Sequence, residues 1–314
     1  MSIVTKSVTS NSSSNKRSQN RHRFGQPKSS EENRNDKGAS KPPRPTHFLC
    51  LPLGHHPNLQ EKMLRFHSSL LKDSIEGLDS SILVKPRRLH FTLGVMSLSS
   101  SSQNQSSDSR PSTSPPKTVE SALDLLRSLQ PQLTALCAAG KPGTLQGSLE
   151  RVGAFESKVG ARVLWVSPRE DERWPESEEE LQERLKLVRV AELVHRTFKD
   201  AGYITETRPL KLHCTLINTS YRKPFNRKSQ LFSFTDVLAS DAILEFQPSE
   251  DQAQATSVTP SSVSPSNRTV RVAFGTYDIP EIQLCAMGSS GPDGEYISLG
   301  NARLTASGGG AAAV

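Results

Sequence analysis

Apolar and polar residues alternate along Leu89-His90-Phe91-Thr92-Leu93 and again along Leu212-His213-Cys214-Thr215-Leu216. A period of two marks a strand, in which residues i and i+2 share a face. Each run therefore buries its apolar residues on one side and presents a His-Thr pair on the other. The same kind of reading predicts strands over 46–53, 88–95, 145–155, 161–166 and 211–218, and strands or strand fragments over 270–274, 281–287 and 296–304. Elsewhere the apolar spacing lengthens to that of a helix. After Pro57, with Asn58 as expected N-cap, Leu59, Met63, Phe66 and Leu70 form one buried stripe that ends by Gly77. From Thr118 a second helix carries Leu123, Leu126, Leu129 or Gln130, Leu133 and Cys137, and Gly140 and Pro142 close it. A third opens on Glu178-Glu179-Glu180, whose charges suit the positive end of a helix, and stops near Gly202. Pro292-Asp293-Gly294 is a turn between the last two strands.

The order is strand, helix, strand, helix, two strands, helix, strand, closing strands. It predicts an α+β chain of two lobes, each with a small, mostly antiparallel sheet and outer helices, around a central cleft.

Composition then divides the chain. Residues 1–44 are rich in Ser, Asn, Lys and Arg and hold almost no large apolar residues, so a disordered basic tail is expected there. Runs of Ser, Gln, Pro and Thr over 97–117 and 248–268 read as disordered insertions, and 306–314 as a disordered tail. One domain over 45–305 remains. The tail holds ten Lys/Arg against three acids, which accounts for the whole net charge of +7. The domain itself is near neutral, so the basic balance does not make it a nucleic-acid-binding fold. The tail is a candidate for nuclear import or for contact with RNA phosphates. Cys50, Cys137, Cys214 and Cys285 have no metal-ligand spacing and read as reduced, mostly buried thiols of a nuclear or cytoplasmic protein. No apolar run is long enough to span a membrane.

The chemistry lies in the two His-Thr pairs. Imidazole titrates near neutrality, so two of them can hold opposite protonation states and serve as acid and base at one phosphodiester. The hydroxyls of Thr92 and Thr215 can donate to phosphate oxygens as charge builds. A base precedes each pair by two positions, Arg88 and Lys211, and Tyr221-Arg222-Lys223 follows the second strand. All five are candidate substrate-binding residues. His67-Ser68-Ser69 and His195-Arg196-Thr197 share the spacing but fall in predicted helices, where i and i+2 diverge. A metal site at His47, His55 and His56 lacks carboxylates at ligand spacing. No cofactor and no metal are expected.

On His90-Phe91-Thr92 and His213-Cys214-Thr215 the chain resembles the 2H phosphoesterase superfamily. The runs Thr46-His47-Phe48-Leu49, Asp79-Ser80-Ser81-Ile82 and Asn218-Thr219-Ser220-Tyr221-Arg222-Lys223 are similar to its A-kinase-anchor-protein-like phosphoesterase domain. A domain of that type also occurs in the activating signal cointegrator complex, a nuclear transcription coactivator assembly. The resemblance implies a bilobal LigT-like fold. It also implies metal-independent cleavage of RNA ends, 2′,3′-cyclic phosphates or 2′,5′ linkages, with His90 and His213 as the acid/base pair and Thr92 and Thr215 on the phosphate. The expected partners are an RNA or nucleotide substrate and subunits of a nuclear cointegrator complex. The alternative is a non-catalytic RNA-binding or scaffold subunit that keeps the cleft.

Overall fold

The computed structural model describes residues 44–99, 117–138, 145–169, 177–224, 230–248 and 268–304. The expected tails and insertions lie almost wholly outside these residues. The elements are β1 (His47–Pro52), α1 (Pro57–Lys72), β2 (His90–Met96), α2 (Val119–Ser128), α3 (Gln130–Ala138), β3 (Leu145–Ser157), β4 (Gly160–Ser167), α4 (Glu178–Asp200), β5 (Cys214–Asn218), α5 (Phe234–Leu238), α6 (Asp241–Phe246), β6 (Thr269–Ile279), β7 (Glu281–Ala286) and β8 (Ser298–Arg303).

The strands form one antiparallel sheet in the order β6-β3-β4-β5-β2-β1-β7-β8. The two expected small sheets are its halves, β6-β3-β4-β5 and β2-β1-β7-β8. They join where β2 pairs with β5 at Phe91 and Cys214. The segment before β2 adds to the join: Leu83 bridges Ile217, and the Val84 N–H donates to the Leu216 carbonyl at 2.9 Å. Phe91, Cys214, Leu93 and Leu216 are all fully buried, and one continuous apolar core runs under both halves. Such a join can be short because side chains beneath it, rather than ladder hydrogen bonds, carry most of the stabilisation.

The helices follow local chemistry. Pro57 occupies the start of α1, where its missing N–H costs nothing, so His56 and not Asn58 is the N-cap residue. The helix predicted from Thr118 is two helices that break at Leu129, because Pro131 can neither donate within a continuing helix nor clear the preceding turn. Thr118 caps the first with a reciprocal Ser121 bond. Ser177 and Glu180 form the same box at the head of α4. Gly202, at φ 73°, follows the end of α4 in a left-handed conformation that other residues rarely adopt. The segment 233–247, which has no clear period in the sequence, holds the short helices α5 and α6. Phe246 of α6 packs with Phe66 of α1 and Phe274 of β6, with ring centroids 4.8–6.1 Å apart.

Arg222 corrects one sequence-based expectation. Its place in a basic loop makes it a candidate for substrate contact, but its side chain is 2% exposed. Its guanidinium pairs with Asp79 and donates to the carbonyls of Gly77, at 2.5 Å, and Gln230, at 3.2 Å. Asp79 caps the 3-10 turn Ser80–Ile82, and Ser81 accepts from the Lys223 N–H at 3.0 Å. Arg222 thus ties the loop after β5 to the first half of the chain. Truncating the buried guanidinium leaves the Gly77 and Gln230 carbonyls without their donor, while the partly exposed Asp79 is solvated, so Arg222→Ala is expected to lower the unfolding free energy by about 1–3 kcal/mol. Lys223→Ala, at the exposed next residue, is expected to change it by no more than about 0.5 kcal/mol. Urea unfolding of the two variants measures both.

Candidate active site at the junction of the two half-sheets

The junction sets the site. At Phe91 and Cys214 the strands are antiparallel, and both side chains point into the core. Extending that match by one residue in each direction sets His90 beside Thr215 and Thr92 beside His213. The His213 charge is felt at the His90 ring, which puts the two imidazoles near each other. All four are partly exposed on the face opposite the core. The two His-Thr pairs, 123 positions apart in the sequence, therefore form one quartet.

The two histidines are held alike. Nδ1 of His90 is 2.6 Å from the Arg88 carbonyl, and Nδ1 of His213 is 2.7 Å from the Lys211 carbonyl. A carbonyl can only accept, so in each ring Nδ1 carries the proton. Nε2, on the far side of the ring, is left as the basic nitrogen. Both residues that supply these carbonyls precede the regular strands, Arg88 in the 3-10 turn Pro86–Arg88. The sequence signal is the shared pattern of a base, Leu, His, any residue, Thr and Leu, read here for its backbone rather than for its charge.

Aromatic rings flank each imidazole. Phe48 lies 5.1 Å from His90, and Tyr296 meets it edge-on at 5.6 Å. Around His213, Phe155 stands at 5.1 Å and Trp165 at 6.4 Å. Burial holds the His90 imidazole at about 4, well below its usual 6.5; its carbonyl bond opposes this, and the nearby His213 charge adds to it. His213 is lowered in the same direction, first by burial and further by the Lys211 charge, against the pull of its own carbonyl bond. Charge on these rings is costly until an anion arrives to share the site.

Arg88 and Lys211 are also equivalent. The Arg88 guanidinium lies over Tyr296 at 4.6 Å, and the Lys211 ammonium over Trp165 at 4.2 Å. Arg88 also donates to the carbonyls of Gly294, at 2.6 Å, and Ser289, at 2.9 Å, and so fixes the loop between β7 and β8. These two bonds use two of the five N–H donors of the guanidinium, which lies beside His90 at the cavity that both residues line. Tyr221 is exposed, with its hydroxyl 3.4 Å from that of Tyr296, so the loop after β5 meets the loop between β7 and β8 beside the site. Lys223 is exposed on the same loop as Tyr221. Tyr296, Phe48, Phe155 and Trp165 do not stand out as site residues in the sequence. Each comes from a strand or loop other than the two with the motifs, and single aromatics in such places carry no pattern.

The histidines set aside from the sequence lie in helices, as expected. His67 is buried in α1, and His195 of α4 bonds the Leu93 carbonyl at 2.7 Å. His47, His55 and His56 do not converge on one point. His47 bonds Thr46, at 2.8 Å, while His56 bonds the Asp278 carbonyl, at 2.7 Å, with His55 stacked beside it.

Residues 45–304 match the family model described as the AKAP7 2′5′ RNA ligase-like domain. Among solved structures, the chain is similar to E. coli LigT complexed with 3′-AMP, at 14% identity, covering 83% of this chain and 98% of that one, with a TM-score of 0.39. It is similar to E. coli LigT complexed with ATP at 15% identity, over 83% and 99% of the two chains, with a TM-score of 0.39. For TT0787 of Thermus thermophilus the values are 14%, 82% and 97%, and 0.37. The assignment rests on the family model, which spans the whole described domain and both His-Thr pairs. The chain belongs to the AKAP7 2′5′ RNA ligase-like domain family of the 2H phosphoesterase superfamily.

Proposed function

We propose that this protein is a phosphodiesterase acting on RNA ends, 2′,3′-cyclic phosphates or 2′,5′-linked oligonucleotides, and that His90 and His213 perform the proton transfers. The observation that carries this reading is the quartet at the β2–β5 junction, with both Nδ1 atoms tied to backbone carbonyls. One Nε2 takes the proton of the attacking hydroxyl or water. The other, protonated, delivers a proton to the leaving oxygen. Between them the phosphorus passes through a pentacoordinate arrangement whose extra negative charge falls on the non-bridging oxygens. Thr92 and Thr215 stand beside the opposite histidines, where their hydroxyls donate to those oxygens. The two imidazoles supply both proton transfers, so the scheme has no step that requires a metal.

His90, the more strongly depressed of the two, is the base; His213 is the acid. The deeper burial of one imidazole separates two otherwise identical groups, which is how paired titratable residues acquire distinct roles.

Replacing either histidine by alanine removes one proton transfer, so His90→Ala and His213→Ala are each expected to lower kcat by about 10²–10⁴-fold. The assay is hydrolysis of 2′,3′-cyclic AMP and of a 2′,5′-linked diadenylate, with EDTA expected to leave the wild-type rate unchanged. Turnover that survives both substitutions would place the reaction elsewhere. The pH dependence follows from the burial of the two rings. Rate requires His90 neutral and His213 protonated. The profile of kcat/KM, which reports the free enzyme, should therefore rise as pH passes about 4 and fall again below 6.5. A bell centred above pH 7 would refute the acid/base assignment.

A further inference from the structure

The two strands that carry the His-Thr pairs share an irregularity. In β2 the pairing with β1 passes from Thr92 opposite Cys50 to Gly94 opposite Leu49, so Leu93 has no opposite. In β5 the pairing with β4 passes from Thr215 opposite Trp165 to Ile217 opposite Leu164, so Leu216 has none. Each strand therefore has a β-bulge at the residue after its threonine. The extra residue interrupts the alternation of faces. Leu216 and Ile217 are both fully buried, and a Cβ on Gly94, next to buried Leu93, would run into the Ile204 side chain. A bulge bends its strand and re-aims the side chains beside it, which here are the two threonines.

A bulge also takes backbone groups out of the ladder, and buried ones need partners elsewhere. At Leu216 the carbonyl accepts from the Val84 N–H at 2.9 Å. His67 of α1 lies at the same carbonyl, whose attraction for a proton opposes the burial that holds this imidazole at about 4. Its Nε2 has no hydrogen-bond partner among the described residues, so the Val84 amide is the main support. At Leu93 the support is a side chain. The ladder between β2 and β5 lies at Phe91, and the Leu93 carbonyl accepts from Nδ1 of His195, in α4, at 2.7 Å. The two helical histidines that share the spacing of the motifs thus stand behind the site, one at each bulge.

We propose that His195 is a positioning residue, which holds the Leu93 carbonyl, fixes the β2 bulge and so aims the Thr92 hydroxyl at the phosphate. The proposal rests on the phosphodiesterase reading of the quartet. In that reading Thr92 donates to a non-bridging oxygen whose charge grows toward the transition state. An error in its aim therefore lowers kcat more than it raises KM. His195 acts from the helix side of the sheet, through the backbone of a single strand, and its own role requires no contact with substrate. In the second half a backbone amide supports the equivalent carbonyl, so the dependence on a side chain belongs to the Thr92 side alone.

The test is a cycle of substitutions in the full chain, read as hydrolysis of 2′,3′-cyclic AMP. His195→Leu keeps the bulk and removes the donor. It is expected to lower kcat by about 10–100-fold, with KM changed by less than about threefold. His195→Asn, whose side-chain N–H₂ can stand where Nδ1 stood, is expected to recover kcat to within about threefold of wild type. Thr92→Val alone is expected to cost about 10²–10³-fold. Added to Thr92→Val, His195→Leu is expected to lower kcat by no more than about a further twofold, because the hydroxyl that it aims is already gone. A merely structural role would repeat its full loss in that background. Gly94→Ala, which pushes the bulge against Ile204, is expected to show the same dependence on Thr92 and replaces His195→Leu if that variant does not fold. Losses that multiply, an Asn variant as slow as the Leu variant, or wild-type kcat in His195→Leu would overturn the proposal. Calorimetry with adenosine 2′-monophosphate reads the same cycle as Kd. If no substrate is cleaved and the Kd values are non-additive in this way, the phosphodiesterase reading alone fails; additive Kd values overturn the role of His195 and leave the quartet as it stands.

Discussion

Strand pairing joins the two half-sheets at Phe91 and Cys214, and the candidate active site sits on that contact. Phe91 and Cys214 bring their backbones together, and both side chains go down into a shared core. A strand turns alternate residues to opposite faces. Driving Phe91 and Cys214 into the core therefore drives His90, Thr92, His213 and Thr215 out together. A slip of one residue in either strand would bury a histidine and expose an apolar residue. The register is thus held by the hydrophobic effect, and the geometry of the candidate site follows from it. Leu83, Val84 and the bond from buried Arg222 to Asp79 add contacts between the same two parts of the chain.

The halves repeat one arrangement around each imidazole. A basic residue two positions earlier gives its carbonyl to Nδ1, and its side chain lies on an aromatic ring beside the same histidine. Arg88 does this with Tyr296, and Lys211 with Trp165. Such a cation over a ring contributes on the order of 0.5–2 kcal/mol, depending on how dry the contact is. Its consequence for the site is orientation. The basic side chain, the ring and the imidazole hold one another's positions, so the free nitrogen has little freedom to turn away. The repetition is one of environment rather than of sequence, because Tyr296 comes from a loop and Trp165 from a strand.

The asymmetry between the halves separates the two histidines. The first has the loop between β7 and β8 folded over it, held by Arg88, with Tyr296 and Glu295 at its end. The second has Phe155, exposed on β3, at its edge. His90 is consequently the drier ring and the one whose charge is more strongly disfavoured. The same loop makes the cavity beside His90, so proton affinity and the shape of the adjoining pocket have a common structural origin.

Local pattern was sufficient for much of this. The alternation around His90 and His213 fixed which residues share a face, the helical stripes placed α1 and α4, and the helical setting of His67 and His195 excluded them. These are properties of a few consecutive residues, set by backbone geometry and by the burial of apolar side chains. The pattern failed where a neighbour in space decides the outcome. Arg222 resembles a surface base in a Tyr-Arg-Lys loop until Asp79 and two carbonyls surround it. Arg88 reads as a base beside His90, and only the fold shows that it also holds the Gly294 and Ser289 carbonyls. Tyr296 and Trp165 have no local signature, because their place in the site depends on which distant strands pair. The sequence by itself determined the two motifs and the faces they occupy. Only the tertiary structure decided that those faces meet, since the apolar core beneath Phe91 and Cys214 is assembled from residues spread over the whole domain.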